Sequence, residues 1–336
     1  MIGALTVGVT TGHLGVAAQA LAIVVLVPML WVSAWIWLGY SRPSAVLVLE
    51  GFQMFLLAPS WVILVAATAT GRWPLAVLGG LVAGSHLCFC LPAVIRNRLP
   101  DWARDAPAVS VFVANVRYDN DRRDDVAGAV LEADADIVIV NEITPQQREA
   151  LKLAGVYERY PMRLYTEGRP FGEMLMTRLP VTDERIEILG RARVPAATIR
   201  VGERDIRVYA VHVDAPKSSE KRNLWRRDLD GIGHSAEQRG DQPRLYVGDF
   251  NSAPWHGPFR RLLDRGLTDA HDALGKGLTR SWTPKWPVLA WVGAVMRLDH
   301  GLYTEGIVAR SVRDVEVPGS DHRGFHLTVA VQQPDR

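Results

Sequence analysis

The sequence is short of cysteine and, over its first 95 residues, of charge. Its two cysteines are Cys88 and Cys90. Two positions apart on a helix, they point away from each other. None follows them, so the rest of the chain has neither a disulfide framework nor a Cys-ligated zinc site available to it. Up to Ile95 the only formal charges are Arg42, Glu50 and Arg72. A large excess of positive charge is missing too: 38 Lys and Arg stand against 36 Asp and Glu. Setting aside the two arginines and one glutamate of the first block leaves 36 basic and 35 acidic residues. That balance disfavours a strongly basic face wrapped on duplex DNA. An almost uncharged block joined to a charge-balanced one excludes a simple soluble enzyme, and 48% hydrophobic residues exclude disorder over most of the length.

What fills the first block is apolar. Leu14 to Gly39, Gly51 to Thr70 and Pro74 to Ile95 each reach the roughly 20 residues that span a hydrocarbon core. Arg42-Pro43 and Arg72-Trp73-Pro74 are the short polar turns between them. Trp31, Trp35, Trp37 and Tyr40 crowd the end of the first stretch, and Trp73 and Trp102 flank the third, as in an interfacial aromatic belt. A signal peptide would have a shorter apolar core and no further spans after it. The expectation is therefore a multi-pass anchor of three transmembrane helices over residues 1–96, a linker over 97–107 and a second domain over 108–332. With three spans, Arg42, Arg96, Arg98 and Arg104 share one side and Arg72 lies on the other, which favours a cytoplasmic second domain. Glu50 fits a helix end, and His86 fits a hydrogen bond to a neighbouring helix.

From Ala108 onward, β-rich runs repeatedly end in a polar group. Val109–Ala114 ends at Asn115. Asp136-Ile-Val-Ile-Val, apolar throughout like a strand buried on both faces, ends at Asn141-Glu142. Ile206–Val211 alternates and ends at His212. Leu245-Tyr-Val-Gly ends at Asp249-Phe250-Asn251, and Val295–Leu298 at Asp299-His300. Ser320-Asp321-His322 precedes the strand Phe325 to Val331. One Asn or Asp at a strand end is ordinary turn chemistry. Six such endings supply carboxylates and amides suited to Mg²⁺ or Mn²⁺, with imidazoles able to stabilise charge on a phosphoryl group.

This ordered set resembles the endonuclease/exonuclease/phosphatase superfamily, which includes pancreatic deoxyribonuclease, abasic-site endonucleases, sphingomyelinases and inositol-phosphate phosphatases. The matching pieces are Ala114-Asn115-Val116, Val140-Asn141-Glu142, Gly172 to Pro180, Val211-His212, Gly248-Asp249-Phe250-Asn251, Arg297-Leu298-Asp299-His300 and Ser320-Asp321-His322. Asn141 is a departure, since the family usually carries Gln there. The resemblance implies an α/β fold, a four-layer α-β-β-α sandwich, over residues 108–332. The three apolar spans ahead of it are similar to actinobacterial membrane proteins of the teicoplanin-resistance (VanJ) type. That likeness implies a catalytic domain on the outer, extracytoplasmic face of the cell membrane, against the arginine count, and a lipid-linked phosphate as substrate.

The resemblance also assigns roles. Glu142 is the expected metal ligand, helped by Asn115 and Asp321, although Asn115 also fits a turn. Asp249 orients or deprotonates the attacking water and Asn251 holds a phosphate oxygen. His322 stabilises the pentacovalent phosphorus, with Asp299 fixing its tautomer. His212 is a second donor to phosphate, or a satisfied structural histidine. Arg117 fits either a phosphate contact or a surface salt bridge. His300 is read as structural. Arg222, Arg226 and Arg227 fit a solvated helix face. The segment from Trp282 to Met296, with Trp286, Leu289 and Trp291, is either a core strand or a lipid-facing lip beside the site.

The function expected is a membrane-anchored, Mg²⁺- or Mn²⁺-dependent phosphatase or phosphodiesterase acting on a lipid-linked phosphate. The alternatives are a membrane-tethered nuclease and a catalytically silent scaffold. The bilayer and the lipid-linked phosphate are the expected partners, nucleic acid is less favoured, and no protein partner can be inferred.

Overall fold

The computed structural model describes residues 2–41, 44–167, 171–238, 240–285 and 293–334. It contains two compact units: Met1–Leu91 with Trp255–Gly257, and Pro92–Pro254 with Pro258–Arg336.

The first unit is helical: α1 (Ile2–Trp37), α2 (Ser44–Gly51), α3 (Gln53–Leu56), α4 (Pro59–Ala69) and α5 (Trp73–Val94). Gly15–Trp37 and Trp73–Val94 are each long and apolar enough to cross a membrane. The middle stretch, expected as a third span, is broken: Ala45–Gly51 and Gln53–Ala69 meet at 74°. Proline adds a second interruption, because Pro59 has no N–H and its ring crowds the carbonyl four residues back. It ends α3 and opens α4, where the first turn tolerates it. The Trp61 indole donates to His86 Nδ1 at 3.0 Å, a helix-to-helix bond of the kind expected of His86.

The second unit is built on two six-stranded sheets. The strands are β1 (Ala108–Asn115), β2 (Ile137–Ile143), β3 (Met162–Tyr165), β4 (Gly172–Thr177), β5 (Val181–Leu189) and β6 (Ala192–Val201). Then come β7 (Arg204–His212), β8 (Arg244–Asp249), β9 (Thr268–Asp269), β10 (Asp299–Tyr303), β11 (Ile307–Glu316) and β12 (Arg323–Val331). One sheet runs β11-β12-β1-β2-β4-β3 and the other β5-β6-β7-β8-β10-β9.

Alternation decides which side chains meet between the sheets. Val109, Val111 and Val113 pack against Ile206, Val208 and Ala210 and against Leu245 and Val247. The intervening Phe112 and Ala114, with Val138 and Val140, face the other way onto helices α6 (Arg123–Ala133), α7 (Pro145–Leu153) and α8 (Val156–Arg159). The unbroken apolar run of β2 is thus buried on both faces. Helix α9 (Ser219–Glu237) covers the second sheet, where Ser235 Oγ accepts from the Tyr246 hydroxyl at 2.9 Å. Helices outside two facing sheets make the α/β sandwich expected.

Residues 97–107 lie against this unit. Asn97 N–H donates to Ala273 O (2.8 Å) and Val331 N–H to Pro107 O (2.9 Å). The Arg310 guanidinium donates to the carbonyls of Arg104 and Ala106 at 2.9 and 2.8 Å.

Strand direction gathers the polar ends. β1 and β2 are parallel, with Asn115 beside Asn141. β7 and β8 are parallel, with His212 beside Asp249. β10 is antiparallel to β8 and starts where β8 ends, with Asp299 opposite Asp249. β12 is antiparallel to β1, so its beginning, just after Asp321-His322, reaches the same rim.

Candidate active site

One of the hydrogen bonds that join the two sheets at the rim runs from the backbone: Asp249 N–H donates to Asn141 Oδ1 at 3.1 Å. Gly248, at φ +142°, makes the approach possible. A Cβ there would lie 1.9 Å from Val211 O and 2.9 Å from Asn141 Oδ1, closer than any side chain can come. Asn141, the departure from the family's usual Gln, therefore keeps its amide oxygen in use.

Around Asp249 stand the other polar ends. Asn115 Nδ2 donates to Asp249 Oδ2 at 3.0 Å and to Glu142 Oε1 at 3.2 Å. Asn251 N–H donates to Asp249 Oδ1 at 2.7 Å. His212 Nε2 lies 3.9 Å from Asp249 Oδ2 and 4.0 Å from Glu142 Oε1, and His322 Nε2 lies 3.8 Å from Asp249 Oδ2. Both imidazoles are braced from behind by a carboxylate. His322 Nδ1 meets Asp299 Oδ2 at 2.8 Å. His212 Nδ1 meets Glu173 Oε1 at 2.9 Å, and Thr166 Oγ1 donates to the other Glu173 oxygen at 2.6 Å.

Glu173 was not picked out from the sequence. It lies within the matched stretch Gly172 to Pro180, and its partner is 39 residues away on the other sheet. Ser320 was missed as well: its hydroxyl donates to Asn115 O at 2.7 Å and accepts from His322 N–H at 3.0 Å. It ties the Asp321-His322 loop to β1.

Backbone strain concentrates here. Four non-glycine residues among those described have positive φ: Arg117 (61°), Asp134 (44°), Glu142 (57°) and Asn251 (46°). Three of the four flank the site, where such conformations are held by their surroundings and commonly serve function.

The charges are uneven. Burial opposes a positive charge on His322, but Asp299, Asp249 and the bond to Asp299 outweigh it and push its pKa up to about 10. Burial likewise opposes charge on His212. The bond to Glu173 and the charges of Glu173, Asp249 and Glu142 push it up to about 9. Burial and the neighbouring Asp299 push the Asp249 carboxyl up to about 6, against the pull of the two imidazoles and the Asn251 N–H.

Asp249, Asp299 and His322 bring three potential ligand atoms within 4.8 Å of one another. His322 Nδ1 is already engaged by Asp299 at 2.8 Å and its Nε2 lies 3.8 Å from Asp249, so the trio also reads as an imidazole held between two carboxylates. Oxygen donors of the kind a hard cation takes are the Glu142 carboxylate and the Asn115 Oδ1, which accepts from Arg117 N–H at 3.0 Å. The Asp321 carboxylate faces Lys285 Nζ at 3.9 Å. The Arg117 guanidinium pairs with Asp119 (2.7 Å), the salt bridge that was one of its two expected readings. Trp286, Leu289 and Trp291 of the expected lip lie outside the described residues. The base of that segment flanks the site, with Thr283 N–H donating to Asp321 O at 2.8 Å.

Comparisons with known proteins agree with this geometry. The chain is similar in fold to D. rerio TDP2 complexed with a single-strand DNA product (TM-score 0.58, 16% identity, 67% of this chain and 99% of that one). It is also similar to the 3′ phosphatase NExo from Neisseria bound to a product DNA hairpin (TM-score 0.52, 18% identity, 65% and 98%). A third likeness is to an endonuclease/exonuclease/phosphatase from Bacteroides vulgatus (TM-score 0.53, 16% identity, 67% and 99%). At these identities the likeness shows the fold. No curated protein matches the chain significantly. The family model described as the endonuclease/exonuclease/phosphatase family matches residues 112–322, and the chain belongs to that family.

Proposed function

We propose that the chain is a membrane-anchored, divalent-metal-dependent phosphoric ester hydrolase acting on a lipid-linked phosphate. The observation that carries the hydrolase reading is the pair of buried imidazoles, each braced by its own carboxylate, flanking Asp249. Two N-terminal helices of membrane-spanning length and hydropathy support the anchor and the amphiphilic substrate.

In this reading Asp249 takes a proton from the attacking water, whose oxygen bonds to phosphorus as the ester oxygen leaves. His322 and His212, protonated, donate to the non-bridging oxygens as negative charge builds on them. Asp299 and Glu173 hold each ring by its Nδ1–H, so that Nε2–H points to the phosphate. Asn251, anchored by its Nδ2 donating to Val213 O at 2.9 Å, lies beside the same oxygens. Glu142, Asn115 and Asp321 would hold a Mg²⁺ or Mn²⁺ ion. When bound, that ion supplies Lewis-acid polarisation of the phosphoryl group. Arg117 and the lip residues Trp286, Leu289 and Trp291 belong to the substrate side of the proposal. The anchor over residues 1–96, multi-pass in the cell membrane, and an extracytoplasmic catalytic domain complete it.

The DNA held by the solved TDP2 and NExo structures favours a second reading, a tethered nuclease. The 36-to-35 charge balance of the catalytic block weighs against a long nucleic-acid track. A silent scaffold would have no reason to keep both braced imidazoles. Purified full-length protein assayed with Mg²⁺ on a long-chain alkyl phosphate, a choline phosphodiester lipid and plasmid DNA separates these readings. A preference for DNA would overturn the lipid reading.

A further inference from the structure

The mechanism leaves one feature beside the site unused. Tyr118, 47% exposed, stacks on Phe171 with ring centroids 5.3 Å apart and planes 26° apart. Phe171 in turn rests against the His212 ring at 5.6 Å. The three rings form a row that starts at a proposed phosphate donor and ends in solvent.

Two observations show that the backbone holds this row in place. Arg117, immediately before Tyr118, sits at φ 61°, an unfavourable conformation for an arginine. Tyr118 N–H donates to Glu142 Oε2 at 3.2 Å. The strained turn thus presents an exposed aromatic ring next to the site's acidic centre. Solvated aromatic surface beside a catalytic centre is a recognisable mark of ligand contact.

We infer that Tyr118 and Phe171 form an apolar ledge that receives the first carbons of the substrate's hydrocarbon chain. The inference rests on the lipid-phosphate reading and gives that reading a subsite. The geometry favours a chain over a nucleobase. Phe171 already stacks with Tyr118 and contacts His212, so the surface the pair offers beside the site is apolar ring carbon, which suits C–H packing. A base also calls for polar readers at its edge, and the neighbouring polar side chains are engaged within the fold. Gln147 Nε2 donates to Arg117 O (2.9 Å) while Gln147 Oε1 accepts from Thr144 N–H (2.8 Å). Thr166 and Glu173 bond each other, and the Arg117 guanidinium bonds Asp119.

The test is the ratio of kcat/KM on dodecyl phosphate to kcat/KM on ethyl phosphate, measured on the full-length protein in detergent with Mg²⁺. A phosphorylated single-strand oligonucleotide serves as a third substrate. Wild type should prefer the long chain. Tyr118→Ala and Phe171→Ala should each lower that ratio about tenfold, as expected when a few methylenes lose a pocket wall, and the loss should fall mainly on KM. Tyr118→Phe should keep the ratio. If wild type prefers the long chain and both alanine variants keep that preference, the ledge is a brace for His212 and the inference fails while the lipid reading stands. If wild type shows no chain-length preference, the lipid reading itself fails and the inference falls with it. If the variants lose oligonucleotide hydrolysis selectively, the ledge stacks bases and the inference is overturned.

Discussion

Asp249 and Asn141 join the two sheets of the sandwich: the backbone N–H of one, at the end of β8, donates to the side-chain oxygen of the other, next to Glu142. With the Asn115–Asp249 and His212–Glu173 bonds, it fixes the distance between Glu142 on the first sheet and His212 on the second.

Asn141→Leu should therefore leave the Asp249 N–H buried without a partner. The expected cost is about 1–3 kcal/mol of stability, read as a lowered midpoint of thermal or urea unfolding. kcat should fall more than KM rises. Unchanged stability and kcat would mean that the sheets are held at the rim by other contacts.

A pH profile tests the braced imidazoles. The His212 pKa is raised to about 9, so the ring is charged at neutral pH and loses its proton only on the alkaline side. Glu173→Gln removes the largest support for that charge while keeping the side chain's shape. The alkaline limb of kcat/KM against pH should then move to lower pH. A limb that stays in place would remove His212 from the reacting set.

Beneath the site, Asp269 is buried between Arg297 Nη1 (2.7 Å) and His300 Nδ1 (2.7 Å). Burial alone would raise its pKa, but the Arg297 charge and the His300 bond hold it well below the usual carboxylate range. A depressed folded-state pKa contributes stability that is fully present above the unfolded value, about 3.9, and is lost as pH falls through the folded value. Asp269→Asn should destabilise the protein by about 3–5 kcal/mol at pH 7, since it leaves Arg297 buried without this counter-charge. The difference from wild type should shrink as the solution is acidified below about pH 4. A difference that is flat with pH would show that the loss is packing alone.

Much of this site is legible in the sequence, because strand endings are local. The run Ile137–Val140 marks a doubly buried strand, the alternation of β7 marks a strand with His212 at its end, and the family resemblance pairs Asp299 with His322. What is not legible depends on contacts across the sandwich. Glu173 shows its partner only when β4 and β7 face each other, and Ser320 its acceptor only when the last loop closes over β1. The Tyr118–Phe171 pair brings together residues from two separate loops. In the first unit, hydropathy marks a third apolar stretch but does not show where its backbone breaks. Pro59, inside the expected middle span, begins a helix, and a 74° bend lies earlier, between Gly51 and Gln53.

For the metal, Glu142→Gln should abolish nearly all activity and weaken Mn²⁺ binding measured calorimetrically, with the thermal midpoint of the metal-free protein little changed. Equal Mn²⁺ affinity in variant and wild type would place the ion elsewhere.

The most direct test is the turnover of His322→Gln. Hydrolysis of a long-chain alkyl phosphate by the full-length protein, at saturating substrate and Mg²⁺, should fall on the order of 10²-fold or more in kcat with KM little changed, because the imidazolium acts on charge that develops only in the transition state. A variant that keeps kcat near wild type would contradict the account, since the His322–Asp299 pair would then take no part in the chemistry.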